Sequence, residues 1–155
     1  MTSISTADLM DEHPDAQVAI PALRAFGGEP CFSGPIQTVV APEDNTLVRA
    51  QLEEPGNGRV LVVHGLGSLH CALVGDNLAQ LAIDNGWAGI VVNGCIRDAA
   101  VIDEMPVGVH ALATNPRKSV KADQGTVGID VHFLGVTFRP EATLHADHDG
   151  VIVLP

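Results

Sequence analysis

The sequence predicts an α/β domain in which a parallel β-α-β-α-β centre is joined to antiparallel strands toward the C-terminal end. Three observations carry that expectation. Arg59-Val60-Leu61-Val62-Val63-His64 is an almost unbroken apolar run, the pattern of a strand covered on both faces. Leu78, Leu81 and Ala82 follow at the i, i+3, i+4 spacing of a buried helix face. The tail then alternates short apolar runs with Leu134-Gly135 and Asp149-Gly150, both turn signals. A chain of 155 residues suits one domain. With one Trp, four Phe and no Tyr, its core must be built from Val, Leu, Ile and Ala.

The elements follow in order. Ser5 can cap a helix and Asp8 stands third after it, so a short helix over Thr6–Glu12 is expected. Gly34-Pro35 reads as a breaker, with a strand over residues 36–40 after it. Asp44-Asn45 can cap a helix running to about Glu54, where Pro55-Gly56 stops it. Gly65-Leu66-Gly67 ends the strand over 59–64. A helix is expected over 76–85, with Gly86 at its C-cap. Residues 88–92 make the next buried strand, ended by Asn93-Gly94. Residues 98–104 make a short helix closed by Pro106, and 109–113 a third strand. Parallel pairing with right-handed crossovers is the default for such a series. After a polar loop over 114–125, residues 129–133 and 136–138 flank Leu134-Gly135 as a hairpin. Residues 144–148 and 151–154 flank Asp149-Gly150, which reads as a type I′ turn.

Charge and cysteine content narrow the function classes. The formal net charge of -11 argues against a nucleic-acid or anionic-membrane partner, which would need a cationic footprint. An anionic substrate would need a local positive site. Three cysteines without CxxC spacing, and an acidic N-terminus without an apolar core, point to a reducing cytoplasm rather than export. No apolar run approaches the ~20 residues of a spanning helix.

The candidate site lies in Gly75-Asp76-Asn77-Leu78 and Arg97-Asp98. Both pieces are expected after a strand and at a helix start, where open α/β sheets bind ligands. The amides of 75–78 would open a helix and favour an anion such as a carboxylate. Arg97 supplies a permanent fork of donors for a carboxylate or keto oxygen. Asp98 offers a hard oxygen to Mg²⁺ or Mn²⁺, ions that need only one or two protein carboxylates. The bland readings are a helix cap for Asp76 or Asp98 and a surface ion pair for Arg97. His145-x-Asp147-His148-Asp149 looks metal-like but reads better as an exposed hairpin. His64 and His70 read as hydrogen-bonded structural histidines, and Cys71 and Cys95 as inert core thiols. Gly65-x-Gly67-x-x-His70 lacks the third glycine of a dinucleotide fingerprint. Arg117-Lys118-Ser119 either touches an anion or forms a solvated loop.

A resemblance sharpens this. The stretches GLGSLHCALVGD (65–76) and AGIVVNGCIRD (88–98) are similar to the core signature of one family. It holds the metal-dependent 4-hydroxy-4-methyl-2-oxoglutarate aldolases and the regulator of ribonuclease activity A. FGG (26–28), TNPRKS (114–119), GVTF (135–138) with Pro140, and ADHDGVIV (146–153) match as well, so the resemblance spans nearly the whole chain. It implies a three-layer β/β/α swivelling-type domain assembled as a trimer or a pair of trimers. It implies pyruvate held by the amides of Gly75, Asp76, Asn77 and Leu78, substrate binding by Arg97 and a divalent metal cation on Asp98. Asp76 would orient a water at the metal, which makes Asp76 and Arg97 the catalytic pair. The implied reaction is cleavage of the hydroxy-oxo acid to pyruvate, with oxaloacetate decarboxylation open to the same electron sink. Regulator-type members can lack the carboxylate after the Arg; this chain keeps Asp98. The alternative is a non-catalytic protein-binding regulator of ribonuclease E. A quinone-pathway methyltransferase finds no glycine-rich nucleotide loop here. Two departures are expected to matter. Larger aldolases extend further and lend an acidic residue to a neighbouring subunit, a contribution expected to be missing here, and His64 stands where relatives often have Asp.

Overall fold

The structure, a computed structural model, describes residues 4–155. In chain order the elements begin with α1 (Thr6–Glu12), β1 (Gln17–Val18), β2 (Arg24–Phe26) and β3 (Phe32–Val40). Next come α2 (Thr46–Glu53), β4 (Val60–His64), β5 (Ala72–Val74), α3 (Asp76–Asp84) and β6 (Gly89–Ile96). The chain closes with α4 (Ala99–Asp103), β7 (Val109–Thr114), β8 (Thr126–Val127), β9 (Val131–Phe133), β10 (Val136–Phe138), β11 (Thr143–Asp147) and β12 (Gly150–Val153). The fold is mixed α/β, as expected, and the boundaries of α1 agree with the sequence reading: Ser5 accepts from the Asp8 amide as its cap.

The centre is a parallel array in the order β3-β4-β6-β7, with β2 antiparallel on its outer edge. A second layer, β1-β12-β11, is antiparallel and joins the first half of β3. The alternation within β4 explains its continuous apolar sequence. Leu61 and Val63 face α2, α3 and α4 through Val48, Leu52, Leu78, Ala82 and Ile102. Val60 and Val62 face the other way, against Leu144, Val151, Val153 and the ring pair Phe133 and Phe138. Two apolar cores thus sandwich one sheet, giving helix, sheet and sheet layers.

Four local readings need correction. Gly34-Pro35 does not break the chain but lies inside β3, which starts at Phe32. There β3 changes partner, from antiparallel β11 (Pro35 opposite Thr143) to parallel β4 (Ile36 opposite Val60). A proline is tolerated where a ladder is interrupted, and a side chain at Gly34 would strike the Gly58 carbonyl. Asn93-Gly94 likewise does not end β6, which runs on to Ile96; Asn93 is buried and its amide nitrogen is 3.1 Å from His64 Nδ1. The C-terminal turn is centred on His148-Asp149, because Asp147 pairs with Gly150, and only Gly150 of the three has a positive φ (148°). Finally, the strand entering the first site loop is β5, which the sequence did not reveal. By contrast Leu134-Gly135, at φ 50° and 76°, forms the expected turn between β9 and β10.

Candidate active site

Two strand-to-helix junctions stand side by side. β5 pairs in parallel with the end of β6, Val74 opposite Ile96, and the Arg97 amide donates to the Val74 carbonyl at 2.9 Å. The chain therefore leaves both strands at the same edge, through Gly75 into α3 and through Arg97-Asp98 into α4. The six predicted residues, Gly75, Asp76, Asn77, Leu78, Arg97 and Asp98, all line one cleft of about 200 Å³.

Each side chain has a traceable orientation. Asp98 is the N-cap residue of α4, yet it makes no side-chain cap bond and sits in the left-handed region (φ 57°, ψ 37°). Such a conformation is unusual for a non-glycine residue and is kept only where the surroundings impose it. Its Oδ2 instead reaches across to the Asp76 amide, 3.3 Å away. Asp98 therefore does not cap its own helix; its carboxylate faces the first amide of α3 instead. Asp76 folds its Oδ1 onto the Asn77 amide at 2.9 Å, leaving its other oxygen uncommitted among the described residues. Of the amides that open α3, those of Asp76 and Asn77 are engaged by these carboxylates, and no partner faces those of Gly75 and Leu78 among the described residues. Arg97 is exposed and forms no ion pair among the described residues. Gly75 is there for space: a Cβ would stand 2.9 Å from Asp98 Oδ2 and 3.4 Å from Arg97 Cγ.

The cleft extends further than the sequence suggested. Asn45, Thr46 and Arg49 from the start of α2, and Lys118, Ser119 and Lys121 from the 114–125 loop, complete its wall. Arg49, Arg97, Lys118 and Lys121 are four of the eight Lys and Arg residues in the chain, gathered in one cleft of a protein with net charge -11. Asp76 and Asp98 are the acids among them. The loop is held by Asp44, a fully buried carboxylate that accepts from Thr46 N (2.9 Å), Thr46 Oγ1 (2.7 Å), Ala122 N (2.6 Å) and Gln124 N (3.3 Å). Burial alone would raise its pKa, but the four donors outweigh it and hold the carboxyl at about 2.

The remaining candidates take structural roles. His64 stacks on Phe133 (5.1 Å between ring centres) and its Nδ1 meets the Leu66 amide; burial pushes its pKa down. His70 lies outside the cleft, 2.9 Å from Glu43 Oε2. Asp147 ties α1 to β11 by accepting from Thr6 N and Oγ1 at 2.8 and 2.7 Å. Burial raises the Cys71 and Cys95 thiols above their ordinary pKa. Among the described residues no group of three or more His, Cys, Asp or Glu side chains could cage a metal. A hydrated Mg²⁺ or Mn²⁺ does not need such a cage. Asp98, uncapped and turned toward the cleft, with the free Asp76 oxygen nearby, fits an ion that keeps most of its waters.

Nearly the whole chain aligns with known proteins. Residues 6–153 match the family described as RraA-like, Aldolase/RraA. This chain belongs to that family. A relative from Laribacter hongkongensis, named "Putative 4-hydroxy-4-methyl-2-oxoglutarate aldolase", is 56% identical over 97% of this chain and 95% of its own. One of the same name from Deinococcus radiodurans is 50% identical over 97% and 94%. The solved RNA-processing inhibitor RraA from Thermus thermophilis superposes with a TM-score of 0.96 at 44% identity, covering 99% of this chain and 94% of the other. A Geobacillus kaustophilus structure, described as S-adenosylmethionine: 2-dimethylmenaquinone methyltransferase, gives 0.95 at 48% identity over 97% and 94%. The shared RraA fold agrees with the layers described above. No helix among the described residues is long and apolar enough to cross a membrane.

Proposed function

We propose that the cleft is the active site of a divalent-metal-dependent lyase that cleaves 4-hydroxy-4-methyl-2-oxoglutarate into two pyruvates, with oxaloacetate decarboxylation as a side activity. The observation that carries this is the convergence of Arg97, Asp98 and the Gly75–Leu78 amides on one space small enough for a keto acid. The aldolase names of the relatives at 50% and 56% identity support it.

The free amides of Gly75 and Leu78 would seat the 1-carboxylate at the positive end of α3. Asp98 would hold Mg²⁺ or Mn²⁺, which when bound supplies Lewis-acid polarisation of the 2-oxo group. The uncommitted oxygen of Asp76 would orient the water that removes the 4-hydroxyl proton. The C3–C4 bond then breaks, its electron pair passes to C3, and the first pyruvate leaves from the C4 side. Negative charge develops on the 2-oxo oxygen of the remaining enolate. Arg97, permanently charged, would neutralise it, the kind of contact worth ~10²–10³ in rate. Protonation at C3 gives the second pyruvate. A Schiff-base route is disfavoured because Lys118 and Lys121 are exposed and lack the desolvation that makes an amine nucleophilic. A methyltransferase reading fits poorly, since a sulfonium cofactor would face four cations.

The test is pyruvate release from the hydroxy-oxo acid with Mg²⁺, with Mn²⁺ and with EDTA. Release that EDTA abolishes and that Arg97→Ala lowers at least ~10²-fold is expected; silence with both metals would overturn the reading. A second reading, binding to ribonuclease E without turnover, is favoured by the 44% identity to the RNA-processing inhibitor. It predicts inhibition of ribonuclease E that survives Arg97→Ala.

A further inference from the structure

We propose that the cleft contains a second anionic subsite, formed by Ser119, Lys118 and Lys121, that receives the distal carboxylate of a dicarboxylic 2-oxo acid and rejects monoacids of the same length. This rests on the reading of the Gly75–Arg97 end as the seat of the 2-oxo acid group.

Ser119 supplies the decisive observation. It is only 5% exposed, it lines the cleft, and its Oγ has no hydrogen-bond partner among the described residues. Buried hydroxyls are nearly always partnered, so an orphan beside a cleft calls for an acceptor brought by a ligand. Lys121 supplies the charge. Its Nζ donates to Asn45 Oδ1 at 2.8 Å, and Asn45 is itself anchored by donating to the Leu73 carbonyl at 3.1 Å. The ammonium is thus positioned by a neutral acceptor, which leaves its charge uncompensated. Lys118 forms no ion pair among the described residues.

The spacing suits a short diacid. Lys118 is bridged to Ala72, which lies three residues before Gly75 along the strand, roughly 10 Å away. The carboxyl carbons of an extended five-carbon diacid are about 5 Å apart, and a lysine stem spans the remainder. The loop is also fixed in advance. Ala72 N donates to the Arg117 carbonyl (2.7 Å), Val120 N to the Glu43 carbonyl (3.1 Å), and Asp44 holds Ala122 and Gln124. Preorganised cations lose little freedom when an anion arrives. In a chain of net charge -11 a dianion is disfavoured away from a local excess of cations, so this subsite gives discrimination as well as affinity.

Binding of two unreactive analogues tests the subsite apart from turnover. Both 2-oxoglutarate and 2-oxopentanoate have five carbons and no 4-hydroxyl; only the first has a distal carboxylate. Calorimetric titration of the full chain with Mg²⁺ should show 2-oxoglutarate binding at least ~10-fold tighter, the scale of a charge-assisted contact. Lys121→Met and Ser119→Ala should pull that ratio toward one, and Lys121→Arg should keep it. Equal affinities in the unaltered protein, or a ratio unmoved by Lys121→Met, would overturn the proposal. A clear diacid preference without pyruvate release from the hydroxy diacid would leave the subsite standing and sink the aldolase reading instead.

Discussion

Replacing Asp44 by Asn should cost more than its nearly unchanged shape suggests. One carboxylate oxygen receives Thr46 N and Thr46 Oγ1; the other receives Ala122 N and Gln124 N. An asparagine keeps one acceptor and turns the other into a donor, so one of these pairs must face an NH₂ group. Two buried donors left without an acceptor, at ~1–3 kcal/mol each, give about 3 kcal/mol after partial relaxation. For a domain of this size that is a fall in Tm of roughly 6–12 °C at pH 7. The pH dependence provides a second check. The native carboxyl is held at about 2 against an ordinary 3.8, so its contribution is complete above pH 3.8 and is lost as pH falls through 2. The stability gap between the two proteins should therefore narrow as pH falls from about 4 to about 2. Denaturant melts across that range decide the matter. A Tm loss of less than about 2 °C at pH 7, or a gap indifferent to pH, would refute the view that these four donors define the residue.

Other outcomes follow from the same geometry. Gly75→Ala has an ordinary backbone (φ -124°), so it should leave Tm within about 2 °C, yet its Cβ displaces Asp98 Oδ2 and should lower pyruvate release at least ~10-fold. Arg97→Lys keeps the charge but loses the fork, so activity should recover only partly relative to Arg97→Ala in steady-state kinetics. Asp98→Asn should weaken Mn²⁺ binding, read directly by paramagnetic relaxation, before any assay of turnover. His64, His110 and His145 all have pKa values lowered by burial, so the unfolded chain takes up protons that the folded one does not. Stability in thermal melts should therefore decline as pH falls below about 6.5, and His64→Leu should flatten that slope.

What could be read in advance was local. The apolar run of β4, the cap of α1 and the Leu134-Gly135 turn each depend on a few adjacent residues, and each was legible. Asp76, Arg97 and Asp98 stand out as a set only when their place at helix starts is joined to the family resemblance of the motifs around them, and the structure brings the three to one cleft. Asn93-Gly94 and Gly34-Pro35 misled because their turn preference is overridden by pairing with a neighbouring strand, Gly34-Pro35 with β11 and Asn93 with β4. The far wall of the cleft was out of reach for a different reason. Lys121 meets Asn45 across 76 residues of chain, and no periodicity encodes such a contact. The Arg117-Lys118-Ser119 stretch carried a hint of an anion site, but only the burial of Ser119 gives the hint a direction.

The strand β3 has one further consequence. Because its first half belongs to the antiparallel layer and its second to the parallel one, the same nine residues are a seam that neither layer can surrender alone. Pulling Phe32 loose tugs directly on Ile36 along the same strand, so damage on one side reaches the other through the chain itself as well as through packing. Heat and denaturant should consequently find no halfway form, and probes on opposite sides of the molecule should report the same midpoint.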